Sequence, residues 1–278
     1  MNIAEIKDLV RSRYGAFAEA GGAQDACCSA MVQPACGHAT GLGFYRAEEL
    51  ALVPEGALSL SRGCGNPVGF AGLDASEAVV DFGCGGGIDV ILAAHKVGPA
   101  GLVVGVDGAP QMIGRARGNL VEAGLGDGGV ELRVADLADT GLPAGCADVV
   151  ISNCVINLCP DKEAVYREAY RVLRPGGRLA ISDMVWTEEL AADLEASFQS
   201  TWAGCMGGAF PEKHYLETVR QAGFEDISVV SKHPLTAGEL DEMACCPGPE
   251  FTPKPARTDL DAVQGKITSI KFTAHRPG

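Results

Sequence analysis

The stretch that most constrains this chain is Val79-Val80-Asp81-Phe82-Gly83-Cys84-Gly85-Gly86-Gly87. Two β-branched residues and an acid run straight into a glycine loop, and Ile88-Asp89-Val90-Ile91-Leu92-Ala93-Ala94-His95 continues as a helix. Strand, glycine turn and helix open a βαβ nucleotide-binding unit. The missing Cβ atoms let a ligand lie against backbone, and the helix N-terminus offers free N–H groups. The dinucleotide fingerprint G-x-G-x-x-G requires glycine or alanine at position 88, and this chain has Ile88 there, which argues against an NAD-dependent oxidoreductase. What stands instead is an acid, Asp81, followed by glycines at every second position, Gly83, Gly85 and Gly87. Twenty-six residues after Asp81, Leu102-Val103-Val104-Gly105-Val106-Asp107 reads as a second strand ending in an acid. A carboxylate at that strand tip can accept both ribose hydroxyls of an adenosine.

This glycine loop with its alternating spacing resembles the first motif of class I S-adenosylmethionine (SAM) methyltransferases. From position 73 onward the apolar pattern supports it. Strands are predicted at 78–82, 102–107, 130–135, 147–152, 178–183, 226–231 and 267–274, with helices at 88–97, 110–124 and 162–173. Asp161 caps the last of these helices, and Pro175-Gly176-Gly177 ends it. The expected fold is α/β: a Rossmann-like, mostly parallel, doubly wound sheet with an antiparallel edge strand formed by a final hairpin-like pair. Residues 1–72 read as helical and loop-like and are expected to wrap the core as a lid. Residues 73–188 form the expected SAM-binding core. Residues 189–278 hold insertions after strands five and six and the C-terminal strands.

Charge narrows the partners. The formal net charge is −14, which speaks against nucleic-acid phosphate and against an anionic membrane surface. The first ten residues form a charged amphipathic helix pattern with no signal-peptide core, and no apolar run reaches membrane length. A cytoplasmic protein is expected. Eleven cysteines then need a reason, because a reducing cytosol argues against a disulfide scaffold and no C-x-x-C pair is present. Cys84 and Cys146 are candidates for small core residues, the usual fate of a free cysteine.

In a doubly wound fold, ligands bind beyond the carboxyl ends of the strands. Cys154 lies immediately past the fourth strand, Cys64 shortly before the first, and Cys205 in the insertion after the fifth. Three thiols from three segments can therefore meet on the edge that carries the glycine loop, or each can pack independently. Thiolates favour soft guests: zinc, copper(I) or trivalent arsenic. Trp186 and Trp202 flank the same insertion, as walls of a site or as packing. His38, His95 and His214 are scattered and read as exposed or locally bonded.

Gly63-Cys64-Gly65-Asn66-Pro67, the run from Ala147 through Cys154 to Leu158, Gly204-Cys205-Met206-Gly207-Gly208-Ala209 and Tyr14-Gly15 together resemble the motifs of arsenite methyltransferases, in order and approximate spacing. The resemblance implies Cys64, Cys154 and Cys205 as arsenic(III) ligands. It also implies an upstream redox cysteine, for which Cys27 and Cys28 compete with Cys36, and a thiol reductant of the glutathione or thioredoxin type. Around SAM it implies Asp81, Gly83, Cys84, Gly85, Asp107, Gly108, Asp136, Leu137 and Asn153. Asp136 would accept from the adenine amine, and Asn153 would reach the cofactor or orient the Cys154 loop. Cys245 and Cys246 sit in a loop with no expected catalytic part. The rival readings are a methyltransferase acting on carbon, oxygen or nitrogen, which has no use for the three cysteines together, and a thiol sequestration module, which leaves the adenosine site unexplained.

Overall fold

The computed structural model describes residues 1–22, 41–126, 128–198, 202, 205–240 and 256–278. The chain begins with α1 (Ile3–Glu19), which a capping box starts: the Asn2 side chain accepts from the Glu5 N–H, and the Glu5 carboxylate accepts from the Asn2 N–H. Three single-turn helices follow, α2 (Ala47–Leu50), α3 (Glu55–Leu58) and α4 (Pro67–Phe70). The alternating core runs β1 (Ala78–Phe82), α5 (Ile88–Val97), β2 (Leu102–Asp107), α6 (Pro110–Glu122), β3 (Val130–Val134), β4 (Ala147–Asn153), α7 (Lys162–Val172) and β5 (Leu173–Trp186). It closes with α8 (Ala192–Phe198), α9 (Glu212–Gln221), β6 (Glu225–Pro234), α10 (Arg257–Ala262) and β7 (Ile267–His275).

The seven strands form one sheet in the order β3-β2-β1-β4-β5-β7-β6. The first five are parallel, and β7 runs antiparallel to both β5 and β6. The expected antiparallel edge is thus the β6–β7 pair, with β7 threaded inside and β6 outermost. β5 is longer than the predicted 178–183. Leu173 already pairs with Ala147 before a register shift, and the far end continues because Asp183 to Trp186 pair with Ile270 to Ile267 of β7.

Both faces of the sheet are covered, as the near-continuous apolar strands require. Val80, Val104, Val150 and Ile181 point to the side where α7 and α9 bring Val165, Tyr166, Tyr215 and Val219. Their neighbours Val79, Val103, Val149 and Ala180 point to the side where α5 and α6 bring Ile91 and Ile113. The Asp161 side chain accepts from the Ala164 N–H and starts α7. Strand order reverses between β1 and β4, since the chain winds outward through β2 and β3 and then returns to add β4 and β5. That switch point opens a crevice between the loops after β1 and β4. Among the described residues, no helix is long and apolar enough to cross a membrane.

Candidate active site

The loops at the switch point make a cavity lined by Gly83 to Gly86, Asp107 to Ala109, Ala135 to Leu137 and Asn153 to Val155, with Lys7, Arg11 and Tyr14 of α1 on its rim. Left-handed backbone at Gly83, Gly85 and Gly87 (φ 80°, 51° and 95°) turns the chain from β1 into α5. A Cβ on Gly83 would fall 2.5 Å from the Val155 side chain, so glycine there lets the first loop pack against the fourth-strand loop. Asp107, at the tip of β2, accepts from the Gly85 N–H (3.0 Å) and the Ala109 N–H (2.8 Å). These bonds fix the loop and leave lone pairs for a ligand.

Asp81 is buried beneath the loop, and its Oδ1 has no hydrogen-bond partner. Burial, reinforced by Asp89 and Asp107, pushes its carboxyl well above the usual range. Cys84 turns its sulfur inward: a Cβ on Gly105 would fall 2.9 Å from Cys84 Sγ, and burial raises its thiol well above normal. Its side chain packs in the core, as the composition argument expects, while its backbone lines the cavity. Cys146 is half-buried against the opposite core cluster. Asp136 bonds Lys7 and the Ala138 N–H, and these together with Arg11 outweigh desolvation and hold its carboxyl below normal. It therefore ties α1 to the cavity rim.

The thiols meet beside this cavity. Cys154 Sγ lies 3.6 Å from Cys205 Sγ, and Cys205 Sγ lies 3.3 Å from the Cys154 carbonyl oxygen. The Cys64 and Cys154 sulfurs and an Asp183 carboxylate oxygen all fall within 4.8 Å of one another. All three cysteines are buried and unbridged. Thiol hydrogen bonds to Cys205 and Cys64, then burial, raise the Cys154 thiol well above its usual range. Cys154 and Cys205 both adopt left-handed backbone (φ 62° and 71°), which costs about 1–3 kcal/mol for a residue other than glycine. The Cys154 N–H donates to the Ser182 carbonyl and the Cys205 N–H to the Trp202 carbonyl, and these bonds brace the two turns.

Cys64 is held differently. Asn153 Oδ1 accepts from the N–H groups of Cys64 (3.0 Å) and Gly65 (3.1 Å), and Asn153 Nδ2 donates to the Gly65 carbonyl, the Tyr45 hydroxyl and Asp89. The Ser269 hydroxyl of β7 donates to the Cys64 carbonyl (2.6 Å), and Lys271 donates to Ser269. Asn153 thus lines the cavity, on the side where a cofactor contact was one of its two expected roles, and its side chain anchors the Cys64 loop rather than the Cys154 loop. Burial of Asp89, eased by its bonds from Asn153 and Tyr45, still lifts its carboxyl to about 6.

Tyr14 of the Tyr14-Gly15 pair is half-buried at the same place, packed against the cluster that holds the three cysteines. Desolvation and the nearby Cys205 sulfur push its hydroxyl far above its usual range. Trp186 packs on Phe198 (5.6 Å), and the Trp202 ring sits by the Lys162 ammonium (5.5 Å), so neither tryptophan lines the cavity. His214 stacks on Phe210. Asp183, Ser269, Lys271 and Tyr45 were not anticipated. The available signal was polar residues inside buried strands, Ser182-Asp183 in β5 and Ser269 and Lys271 in β7. Cys27, Cys28, Cys36, His38, Cys245 and Cys246 lie outside the described residues.

A doubly wound sheet with a glycine loop, an acid at the β2 tip and a cavity at the switch point defines a nucleoside-cofactor enzyme scaffold. The family model described as a methyltransferase domain matches residues 73–223, and the chain belongs to that family. It is 37% identical over 243 residues to an arsenite methyltransferase of Halobacterium salinarum, covering 84% of this chain and 60% of the relative. It is 36% identical over 216 residues to an arsenite methyltransferase of Aquipseudomonas alcaligenes, covering 76% of this chain and 59% of the relative. The chain thus spans about 60% of the length of these curated relatives. Among solved structures it resembles an arsenic(III) S-adenosylmethionine methyltransferase from Chlamydomonas reinhardtii, with 27% identity and a TM-score of 0.64, over 89% of this chain and 75% of that one.

Proposed function

We propose that this chain transfers methyl groups from SAM to trivalent arsenic held by Cys64, Cys154 and Cys205. The observation that carries the reading is the meeting of three thiols from distant segments against the glycine-loop cavity, with Cys154 shared between the two. The cavity's own residues fit the cofactor. Asp107 retains acceptor capacity for ribose hydroxyls, Gly85 presents bare backbone with open space where a Cβ would stand, and Asp81 keeps an unpartnered buried oxygen below the loop. Asp136, Leu137, Gly108 and Cys84 line the same cavity, and Asp136 would be the acceptor for the adenine amine. SAM supplies a methyl group on a sulfonium, an electrophile for a soft nucleophile.

Trivalent arsenic carries its own lone pair, so the site needs no general base. The work of the protein is positioning. The left-handed turns at Cys154 and Cys205 and the Asn153 clamp on Cys64 bring the Cys154 sulfur against those of both Cys205 and Cys64. In this reading residues 1–72 act as the lid that delivers Cys64, residues 73–188 form the cofactor core, and residues 189–278 deliver Cys205 and the last strands. Arsenic leaves each transfer two electrons more oxidised. Repeated methylation therefore calls for a thiol reductant of the glutathione or thioredoxin class, with Cys27 or Cys28 as the relay to a ligand cysteine. A cytoplasmic setting, where thiols stay reduced, suits that chemistry.

The test is methyl transfer from labelled SAM with excess thiol, arsenite being compared with a panel of small hydroxyl, amine and enol acceptors. Labelled methylarsenicals from arsenite alone are expected. Label on an organic acceptor, with none on arsenic, would establish the rival methyltransferase reading instead.

A further inference from the structure

Asp183 is an expensive residue that the mechanism above does not use. It lies on β5, fully buried at 0% exposure, with a carboxylate oxygen within 4.8 Å of both the Cys64 and the Cys154 sulfur. Its oxygens accept from the Met184 N–H (2.9 Å), the Asn157 N–H (3.1 Å) and the Tyr215 hydroxyl (2.8 Å). Among the described residues it has no ion-pair partner. The nearest cationic influence is Lys162, which donates instead to the carbonyls of Asn157 and Cys159 and lies over the Phe210 and Trp202 rings. A buried carboxylate without a cation is costly. Burial raises its carboxyl to about 6, and the three donors aimed at it offset part of that shift and hold its position.

The thiol cup explains what that charge is for. Arsenic(III) bound to three thiolates is neutral. When the arsenic lone pair forms the As–C bond, the C–S bonding pair leaves with the sulfur as a neutral thioether. The positive charge of the sulfonium then resides on arsenic. A fixed carboxylate beside two of the ligand sulfurs stabilises that charge as it grows, and it does little for the neutral arsenic that precedes it.

We propose that Asp183 is the counter-charge of the thiol cup, stabilising the cation that forms on arsenic as it is methylated. The inference rests on the arsenic reading, but it has a consequence that needs neither SAM nor turnover: the Asp183 oxygen can join the Cys64 and Cys154 sulfurs on a divalent thiophile such as cadmium, whereas arsenic held by three thiolates does not need it.

The experiment uses the full chain and Asp183→Asn, which keeps the shape and removes the charge. Arsenite affinity is measured by equilibrium dialysis, cadmium affinity by the thiolate-to-metal absorption band, and arsenite methylation by steady-state kinetics. Expected is arsenite binding within about 3-fold of wild type, cadmium binding weakened by about 10-fold or more, and kcat lowered by about 10- to 100-fold at nearly constant KM for arsenite. Asp183→Glu, which retains the charge, is expected to recover much of the cadmium affinity. Equal loss of arsenite and cadmium binding in Asp183→Asn would make the residue structural, and undiminished cadmium binding or kcat would equally overturn the proposal. If wild type methylated no arsenic, the functional reading would fall, and the cadmium-to-arsenite ratio would still decide whether Asp183 presents its carboxylate to the cup.

Discussion

The glycine cradle and the thiol cup share an edge of the sheet but are built on opposite principles. The cradle is local: residues 81–89 and the tip of β2 make most of it, and its left-handed turns fall on Gly83, Gly85 and Gly87, where they carry no steric cost. The cup is assembled from β4, β5, β7, the 64–66 turn and the 205–206 turn, and its left-handed residues are Cys154 and Cys205 themselves. Strain in the cradle has been designed out. In the cup it is retained and braced from outside, which is the pattern expected where side-chain aim matters more than stability. Asn153 joins the two regions, since it clamps Cys64 while also donating to Asp89 on the cradle's helix.

The largest effects should come from cutting each region alone. Cys154→Ser replaces the sulfur shared by cup and cavity with a hard oxygen. It is expected to abolish arsenic methylation and to weaken arsenite binding severely, with SAM affinity by calorimetry within about 3-fold of wild type. Asp107→Ala removes the acceptor at the β2 tip and the anchor of the Gly85 N–H. Loss of hydrogen bonds to a charged group predicts SAM binding weakened by about 10- to 100-fold with arsenite binding preserved. If either variant lost both ligands together, the two regions would be one cooperative unit and the division drawn above would be wrong.

How much of this was legible in the chain follows the same division. The cradle was readable because its chemistry is contiguous: a strand, alternating glycines and an acid one βα unit later all lie within Asp81 to Asp107. The helix start was equally plain where the cap is local, as at Asp161. The three thiols could be brought to one edge by topology, yet their mutual contact could not be derived, because it depends on positive φ at cysteine, a conformation that side-chain type does not announce. The Asn153 clamp on Cys64 was out of reach for a similar reason. Its partners Cys64 and Gly65 are 89 and 88 residues away, whereas Cys154 is adjacent in the chain. Asp183, Ser269 and Lys271 were hidden inside strands whose apolar neighbours dominate the pattern.

A middle-sized test compares one glycine from each region. At Gly65 a Cβ would fall 2.2 Å from Ser182 Oγ and 3.1 Å from Lys271 Cε, so Gly65→Ala must push the Cys64 loop off the sheet. A destabilisation of about 1–3 kcal/mol is expected by urea melting, together with a raised KM for arsenite and little change for SAM. At Gly85 a Cβ meets nothing within 4 Å, but φ is 51°. Gly85→Ala should therefore cost only about 1 kcal/mol and act on SAM binding, because the added methyl faces the cavity. Reversal of the two KM effects would show that the cup, and not the cradle, governs cofactor access.

The smallest effect concerns the residue through which the regions touch. Burial lifts the Asp89 carboxyl to about 6, against an ordinary value of 3.8. Between those two values the folded protein holds a proton that the unfolded chain has released, so stability falls as pH rises from about 4 to about 6 and is level above that window with respect to this group. The contribution is on the order of 1–3 kcal/mol, since one pKa unit corresponds to about 1.4 kcal/mol. Asp89→Asn removes the titration and keeps an oxygen for the Tyr45 hydroxyl, which now donates to Asp89 at 2.9 Å. The difference in unfolding free energy between pH 4.5 and pH 7 should therefore shrink in the variant by about that amount. If the variant keeps the wild-type slope, the proton does not reside on Asp89; its carboxylate then stays ionised through the window, and the link from the cradle's helix through Asn153 to Cys64 starts from a charge-assisted hydrogen bond whose strength does not vary with pH.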